Sequence, residues 1–125
     1  MWIAAGKEDI DILATNLYMG GNGTYSSERY KATIDKLLVA FGVDGTYLTE
    51  FGPSWTSLAN YSTNESVQAT SVADMLDYIK SSGIKRAVYF CYYDDSRQFG
   101  PTGFGALKTD KETYRELWDS LINSE

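Results

Sequence analysis

The stretch "GTYLTEFGPSW", from Gly45 to Trp55, places a carboxylate near the end of a short apolar run. The run Thr46 to Phe51 predicts a strand, and the Gly-Pro pair that follows it predicts a break. A carboxylate in this position is costly if the strand end is buried, and costs little if the end opens onto a loop. Glu50 is therefore either a solvated strand terminus or a functional carboxylate at the mouth of a sheet.

The chain repeats a strand-then-helix order three times. The predicted strands are Ile10 to Met19, Thr46 to Phe51 and Arg86 to Tyr93, and their apolar character predicts parallel strands covered on both faces. Long loops follow the strands and short ones follow the helices. Because loops after the carboxyl ends of strands form the functional face of α/β folds, we expect Glu50 on that face.

Three helices are predicted from apolar residues at helical spacing. The first carries Tyr30 and ends at Gly42, and the second carries the apolar residues Val72 to Ile79 and ends at Gly83. The third begins with a capping box at Thr109 and Glu112 and has Tyr114, Leu117, Trp118 and Leu121 on its apolar stripe. We expect Tyr30, Tyr114 and Trp118 to pack in the core.

The predicted fold class is α/β, with βαβαβα units and parallel strands in a single domain over residues 1–125. Two architectures fit three such units. One is a small open α/β sheet, and the other is the last three units of a (β/α)8 barrel, as a partial barrel. Three units of a barrel would leave two unpaired strand edges, which predicts self-association or pairing with the rest of a barrel.

Composition excludes several classes of function. The formal net charge of −6 argues against a nucleic-acid groove, and no window approaches the roughly 20 apolar residues of a membrane span. The chain has no histidine, which excludes the usual zinc sites and every catalytic triad that uses an imidazole base. Acid–base chemistry would therefore fall to carboxylates, tyrosines or lysines, and we expect neither a metal nor a cofactor.

Two further sequence features concern the environment of the protein. The single Cys91 excludes an internal disulfide, and its place in a strand predicts a small buried hydrophobe. Sequons begin at Asn22, Asn60 and Asn64, all in predicted loops, and they favour an extracellular or cell-surface location. No signal peptide is evident at Met1.

Short motifs at the strand ends resemble a known family. "YLTEFG" ends one strand, "NLY" ends the strand before it and "AVYFCYYDD" the strand after it, while "GFGALKTDKETYRELWDSL" closes the chain. Together they resemble the C-terminal part of clan A retaining glycoside hydrolases, cellulase-like (β/α)8 barrels that act on β-linked sugars. The resemblance extends from about Ile10 to Leu121.

The resemblance implies roles for individual residues. Glu50 matches the nucleophile at the end of the seventh strand, and Tyr18 matches the tyrosine that hydrogen-bonds it. Tyr92 lies where the family has a tryptophan beneath the sugar, so an aromatic platform remains, and Trp55 is a candidate for stacking on a sugar ring. Asn16 shares a face with Tyr18 by strand alternation, as either a sugar contact or a capping group.

The acid/base of the family is absent from its usual motif. That residue is a glutamate after an asparagine on the fourth strand, whereas the Asn64-Glu65 pair lies in a predicted loop before a helix. Asp94 and Asp95 are the local substitutes, and Asp94 is also a candidate sugar contact. The expected function is retaining hydrolysis of β-glycosidic bonds in a polysaccharide or oligosaccharide, with the acid/base outside this chain. The alternative is a non-catalytic carbohydrate-binding or assembly module.

Overall fold

The computed structural model describes residues 10–18, 26–53, 64–92, 105–108, 112 and 114–123. These residues form strands and helices in alternation along most of the chain. In order they are β1 (Leu13–Leu17), α1 (Ser27–Gly45), β2 (Thr46–Phe51), α2 (Asn64–Ser81), β3 (Ala87–Tyr89) and α3 (Leu117–Ile122).

The three strands form one parallel sheet in the order β1-β2-β3. Since α1 joins β1 to β2 and α2 joins β2 to β3, the predicted α/β class with βαβ units is confirmed. β2 has the predicted bounds, whereas β1 and β3 are shorter than predicted. Parallel pairing places the carboxyl ends of all three strands at one edge of the sheet.

A hydrophobic core lies between the sheet and the two long helices. Tyr30 and Ile34 of α1 and Met75 of α2 are fully buried, and they cluster with Leu48 and Phe51 of β2. Burial of this apolar surface is the main force that holds the helices on the sheet. The predicted core position of Tyr30 is confirmed.

The opposite face of the sheet is open in the described part of the chain, contrary to the prediction that both faces are covered. Asn16 and Thr49 are exposed there, and the Val88 side chain is 60% exposed. Tyr47 is half-buried beneath the Arg86 guanidinium, which lies 4.6 Å from the ring centroid. Burial alternates along β1, where Leu13, Thr15 and Leu17 are more buried than Ala14 and Asn16, which is the pattern of a strand covered on one face.

β2 carries a bulge that determines the direction of its last side chains. Thr15 pairs with Leu48 and the next residue of β1, Asn16, pairs with Glu50, so one extra residue is inserted in β2. The pairing with β3 shifts over the same interval, between Leu48 and Phe51. A bulge of this kind redirects the neighbouring side chains. Leu48 and Phe51 consequently both enter the core although they are three residues apart.

The ends of the first two helices differ in part from the predictions. α1 starts after Ser26, whose hydroxyl accepts a hydrogen bond from the Arg29 amide, and it kinks at Gly42, where φ is +68°. α2 begins at Asn64, earlier than predicted. Asn64-Glu65 therefore opens a helix, and the prediction that this pair and its sequon lie in a loop is wrong.

The last helix begins at Leu117, so the prediction that it includes Tyr114 is wrong. Tyr114 instead forms an antiparallel bridge with Leu107 and is 46% exposed, which also contradicts its predicted core role. The expected cap residue Thr109 lies outside the described residues. Apolar spacing alone did not separate a bridge residue from the helix that follows it.

Glu65 ties α2 to the C-terminal segment. Its Oε1 lies 2.8 Å from Lys108 Nζ and 3.2 Å from Arg115 Nη1, and the Arg115 side chain is only 8% exposed. An acidic residue in the first turn of a helix also interacts favourably with the helix dipole. Glu65 therefore serves as the counter-charge of a buried guanidinium.

We predict that Glu65→Gln lowers the free energy of unfolding by about 1–3 kcal/mol, because the buried Arg115 exchanges a charge-assisted hydrogen bond for a neutral one. Chemical denaturation measures the change. Glu28→Gln is the matched control, since Glu28 occupies the first turn of α1 and is exposed. Equal losses in the two variants would show that the ion pairs of Glu65 contribute nothing beyond the helix dipole.

A second stability prediction concerns the turn that ends β2. Gly52 has φ of +141°, and a Cβ there would lie 2.7 Å from Tyr89 Cε2 and 3.0 Å from the Phe90 carbonyl oxygen. Gly42 also has a positive φ, but nothing lies within 4 Å of its Cβ position. We expect both alanine variants to lose about 1–3 kcal/mol from backbone strain, and Gly52→Ala to lose more by thermal denaturation. An equal loss would contradict the close packing at Gly52.

Candidate functional site

The candidate site lies at the edge of the sheet where the parallel strands end. Glu50 is the second-last residue of β2 and is half-buried, and Tyr18 directly follows β1. Phe90 and Cys91 follow β3 and are joined by a cis peptide bond. In open α/β sheets this edge is where ligands bind.

Two side chains from the β1 segment donate hydrogen bonds to the same carboxylate oxygen of Glu50. The Tyr18 hydroxyl donates to Oε2, and the Asn16 Nδ2 donates to Oε2 at 3.1 Å. Asn16 and Tyr18 thus lie on one side of the sheet, as strand alternation predicts. The structure brings together three of the residues selected from the sequence, while their catalytic and sugar-binding roles stay predictions.

Thr49 completes this cluster, and sequence reasoning missed it. Its Oγ1 donates to the Asn16 Oδ1 at 2.7 Å. In a regular strand Thr49 and Glu50 would point to opposite faces, and Glu50 would share the helix-covered face with Leu48. The bulge allows both to reach Asn16. The three-residue spacing of the apolar Leu48 and Phe51 is the signal in the sequence that could have indicated the bulge.

The environment of Tyr18 keeps its hydroxyl protonated. The pKa of Tyr18 is raised well above 10, most by burial, then by the hydrogen bond to Glu50, and further by the negative charges of Glu50 and Cys91. Its ring meets Phe90 edge to face, with 6.0 Å between centroids, and the side chain is 39% exposed. Tyr18 is therefore a stable hydrogen-bond donor throughout the neutral range.

Cys91 is half-buried, so its predicted burial is wrong.

Tyr92 belongs to a separate aromatic cluster. Its hydroxyl lies 3.2 Å from that of Tyr114, and its ring meets Trp118 edge to face at 6.1 Å. Tyr114 stacks on Trp118 with 4.6 Å between centroids. Tyr92 is 55% exposed and Tyr114 is 46% exposed, so this cluster presents aromatic surface outward. Trp118 is half-buried, so its predicted core position is confirmed only in part, and nothing in the sequence indicated that Tyr92 contacts it.

The remaining candidates differ in what the structure says of them. Trp55, Asp94 and Asp95 lie outside the described residues. Glu65, the only glutamate that follows an asparagine, is held by Lys108 and Arg115. Over the described ranges, no three His, Cys, Asp or Glu side chains lie together in a way that could hold a metal ion.

Comparisons with known proteins give no relative: no protein-family model, curated protein or solved structure matches this chain. Among the helices that are described, none has the length and apolar character needed to cross a membrane. Inferences about function therefore depend on the geometry around Glu50 and on the resemblance of the strand-end motifs.

We predict that Tyr18 ionises at a higher pH than ordinary tyrosines and that Glu50→Gln moves its pKa back toward 10. The neutral amide removes the charge that opposes the phenolate, while the burial of Tyr18 remains. Because the folded-state pKa is raised, the stability that this bond contributes is present below about pH 10 and is lost as the pH rises through the folded-state pKa. NMR titration of tyrosines with ¹³C-labelled rings measures the shift.

Tyr18→Phe identifies the Tyr18 signal by its loss in that titration. A Tyr18 that titrates together with the exposed tyrosines would contradict the described contact with Glu50. The same pKa in the wild type and in Glu50→Gln would contradict the assigned hydrogen bond.

Proposed function

We propose that Glu50 is the nucleophile of a retaining glycosidase site that acts on β-linked sugars. The observation that carries this proposal is the convergence of Tyr18 and Asn16 on one oxygen of Glu50, at the carboxyl edge of a parallel sheet. A structural carboxylate at a strand end would be neutralised by a cation or solvated. Glu50 is instead oriented by two neutral donors, which leaves its charge available for chemistry.

The reaction needs a carboxylate that is oriented and accessible. In the first step a Glu50 oxygen bonds to the anomeric carbon as the bond from that carbon to the leaving oxygen breaks, and the leaving oxygen takes the bonding electron pair. In the second step water attacks the anomeric carbon, gives a proton to the second carboxyl group and releases Glu50. Tyr18 and Asn16 hold the carboxylate in place in both steps, because both donors are neutral and remain so at neutral pH.

A second carboxyl group must protonate the leaving oxygen, at about 5–5.5 Å from the nucleophile in retaining enzymes. Several described carboxylates already have partners: Asp74 binds Lys31, Asp44 binds Lys85, and Glu65 binds Arg115 and Lys108. We propose that the acid/base lies outside this chain. This accords with a sheet that would be the last three units of a (β/α)8 barrel and would pair with the remaining units.

The arrangement of the helices supports the partial-barrel proposal. α1 and α2 pack on one face of the sheet, and the other face is exposed at Asn16, Thr49 and Val88 within the described residues. In a (β/α)8 barrel the helices form an outer ring and the other face of the sheet lines the interior. A sequential strand order with both crossover helices on one side is the order such a barrel requires.

A second function is favoured by the aromatic cluster of Tyr92, Tyr114 and Trp118. Its exposed rings offer the flat apolar surface on which a pyranose ring stacks. A non-catalytic carbohydrate-binding or assembly module would use this surface and would not need Glu50. The two proposals differ in whether Glu50 forms a bond to the sugar.

We predict that this chain forms a covalent adduct with activated fluoro-glycosides. The probes are 2,4-dinitrophenyl 2-deoxy-2-fluoro-β-glycosides of glucose, xylose and cellobiose. Because dinitrophenolate leaves without protonation, the first step does not need the missing acid, and the fluorine slows release of the adduct. Intact-protein mass spectrometry should show the addition of one fluorosugar, and peptide mapping should place it on Glu50.

Glu50→Gln is the matched control, since it keeps the size of the side chain and removes the nucleophile. We expect no adduct in this variant and slower labelling in Tyr18→Phe. Labelling at another residue, or unchanged labelling in Glu50→Gln, would overturn the proposal. No adduct with any probe, together with binding of the parent sugars that is lost on Tyr114→Ala, would favour the binding module.

A further inference from the structure

We infer that Thr49 is a positioning residue that orients Glu50 through the Asn16 amide, and that Oε1 of Glu50 is the oxygen that attacks the sugar. This inference rests on the proposed function. It extends that function to a residue that neither the resemblance nor the strand alternation indicates.

The chain of hydrogen bonds has one favourable direction. An ionised carboxylate only accepts hydrogen bonds, so Asn16 must turn its NH₂ group toward Glu50. The amide oxygen of Asn16 then points away from Glu50 and needs a donor. Thr49 Oγ1 supplies it at 2.7 Å. The hydroxyl therefore stabilises the amide orientation in which Asn16 donates to Glu50.

The bulge in β2 makes this arrangement possible. It sets Thr49 and Glu50 against the single residue Asn16 of β1, so that one amide can contact both side chains. Thr49 and Asn16 are exposed and do not belong to the core. Thr49 is hydrogen-bonded from β2 to Asn16 on the adjacent strand β1. Because core packing does not hold the Asn16 side chain, this hydrogen bond is what fixes its orientation.

The same contacts distinguish the two oxygens of Glu50. Both donors, Tyr18 and Asn16, bind Oε2. Oε2 thus accepts from two protein groups, which leaves Oε1 for the ligand. In the reaction Oε1 donates the electron pair that forms the bond to the anomeric carbon, the leaving oxygen departs with the pair of the broken bond, and Oε2 keeps its two hydrogen bonds.

Two substitutions at residue 49 separate the hydroxyl from the rest of the side chain. Thr49→Val keeps the shape and the β-branch and removes the donor, and Thr49→Ser keeps the donor and removes the methyl group. Both should fold, because the site is exposed and β-branched residues are favoured in strands. A common unfolding midpoint in urea provides the check that any effect is local.

The first readout is the Asn16 side-chain NH₂ signal in ¹H–¹⁵N NMR, which is assigned by its loss in Asn16→Ala. In Thr49→Val we expect the chemical shifts of its protons to move toward those of a solvent-exposed amide. In Thr49→Ser we expect them to keep their wild-type values. This readout needs no substrate. It tests the positioning claim even if the chain forms no sugar adduct, so failure of the inference and failure of the proposed function are distinguishable.

The second readout is the rate of adduct formation with the dinitrophenyl fluoro-glycosides. We expect Thr49→Val to slow labelling about 10-fold to 100-fold, which is the cost of a misoriented reacting group, and Thr49→Ser to label within about 3-fold of the wild-type rate by the same reasoning. Unchanged Asn16 signals in Thr49→Val would overturn the inference. An equal loss of labelling in Thr49→Val and Thr49→Ser would also overturn it, because the hydroxyl would then have no specific role.

Discussion

The bulge in β2 is the constraint on which the candidate site depends. A strand that alternates regularly from Leu48 would direct Glu50 into the helix-covered face, where a carboxylate is costly. The inserted residue allows Leu48 and Phe51 to enter the core while Glu50 faces Asn16 on the open side. The same bulge therefore lets the apolar side chains pack in the core and keeps the carboxylate out of it.

Hydrogen bonds then orient the half-buried carboxylate of Glu50. Asn16 and Tyr18 lie two residues apart on one face of the β1 segment, and both donate hydrogen bonds to Oε2 of Glu50. The raised pKa of Tyr18 keeps its hydroxyl protonated, chiefly through burial and then through the contact with Glu50. The site thus combines a fixed anion with neutral donors, which is the arrangement that the proposed nucleophilic attack needs.

The sequence predicted the α/β order, the bounds of β2 and the shared face of Asn16 and Tyr18, because these follow from local periodicity. It did not predict that Thr49 contacts Asn16, since a bulge depends on the pairing with neighbouring strands. The start of α3 and the exposure of Tyr114 were missed for a similar reason: the bridge between Leu107 and Tyr114 joins segments whose pairing leaves no periodic signal. The roles of Trp55 and Asp94 stay predictions.

A crystal structure of the chain soaked with a dinitrophenyl fluoro-glycoside tests the central claim most directly, because it locates the bond as well as the sugar. We predict continuous electron density between the anomeric carbon and Oε1 of Glu50, with Tyr18 and Asn16 still bound to Oε2. A sugar bonded through Oε2 would contradict the assigned roles of the two oxygens. A sugar bound only at the cluster of Tyr92, Tyr114 and Trp118, with Glu50 unmodified, would contradict the nucleophile itself.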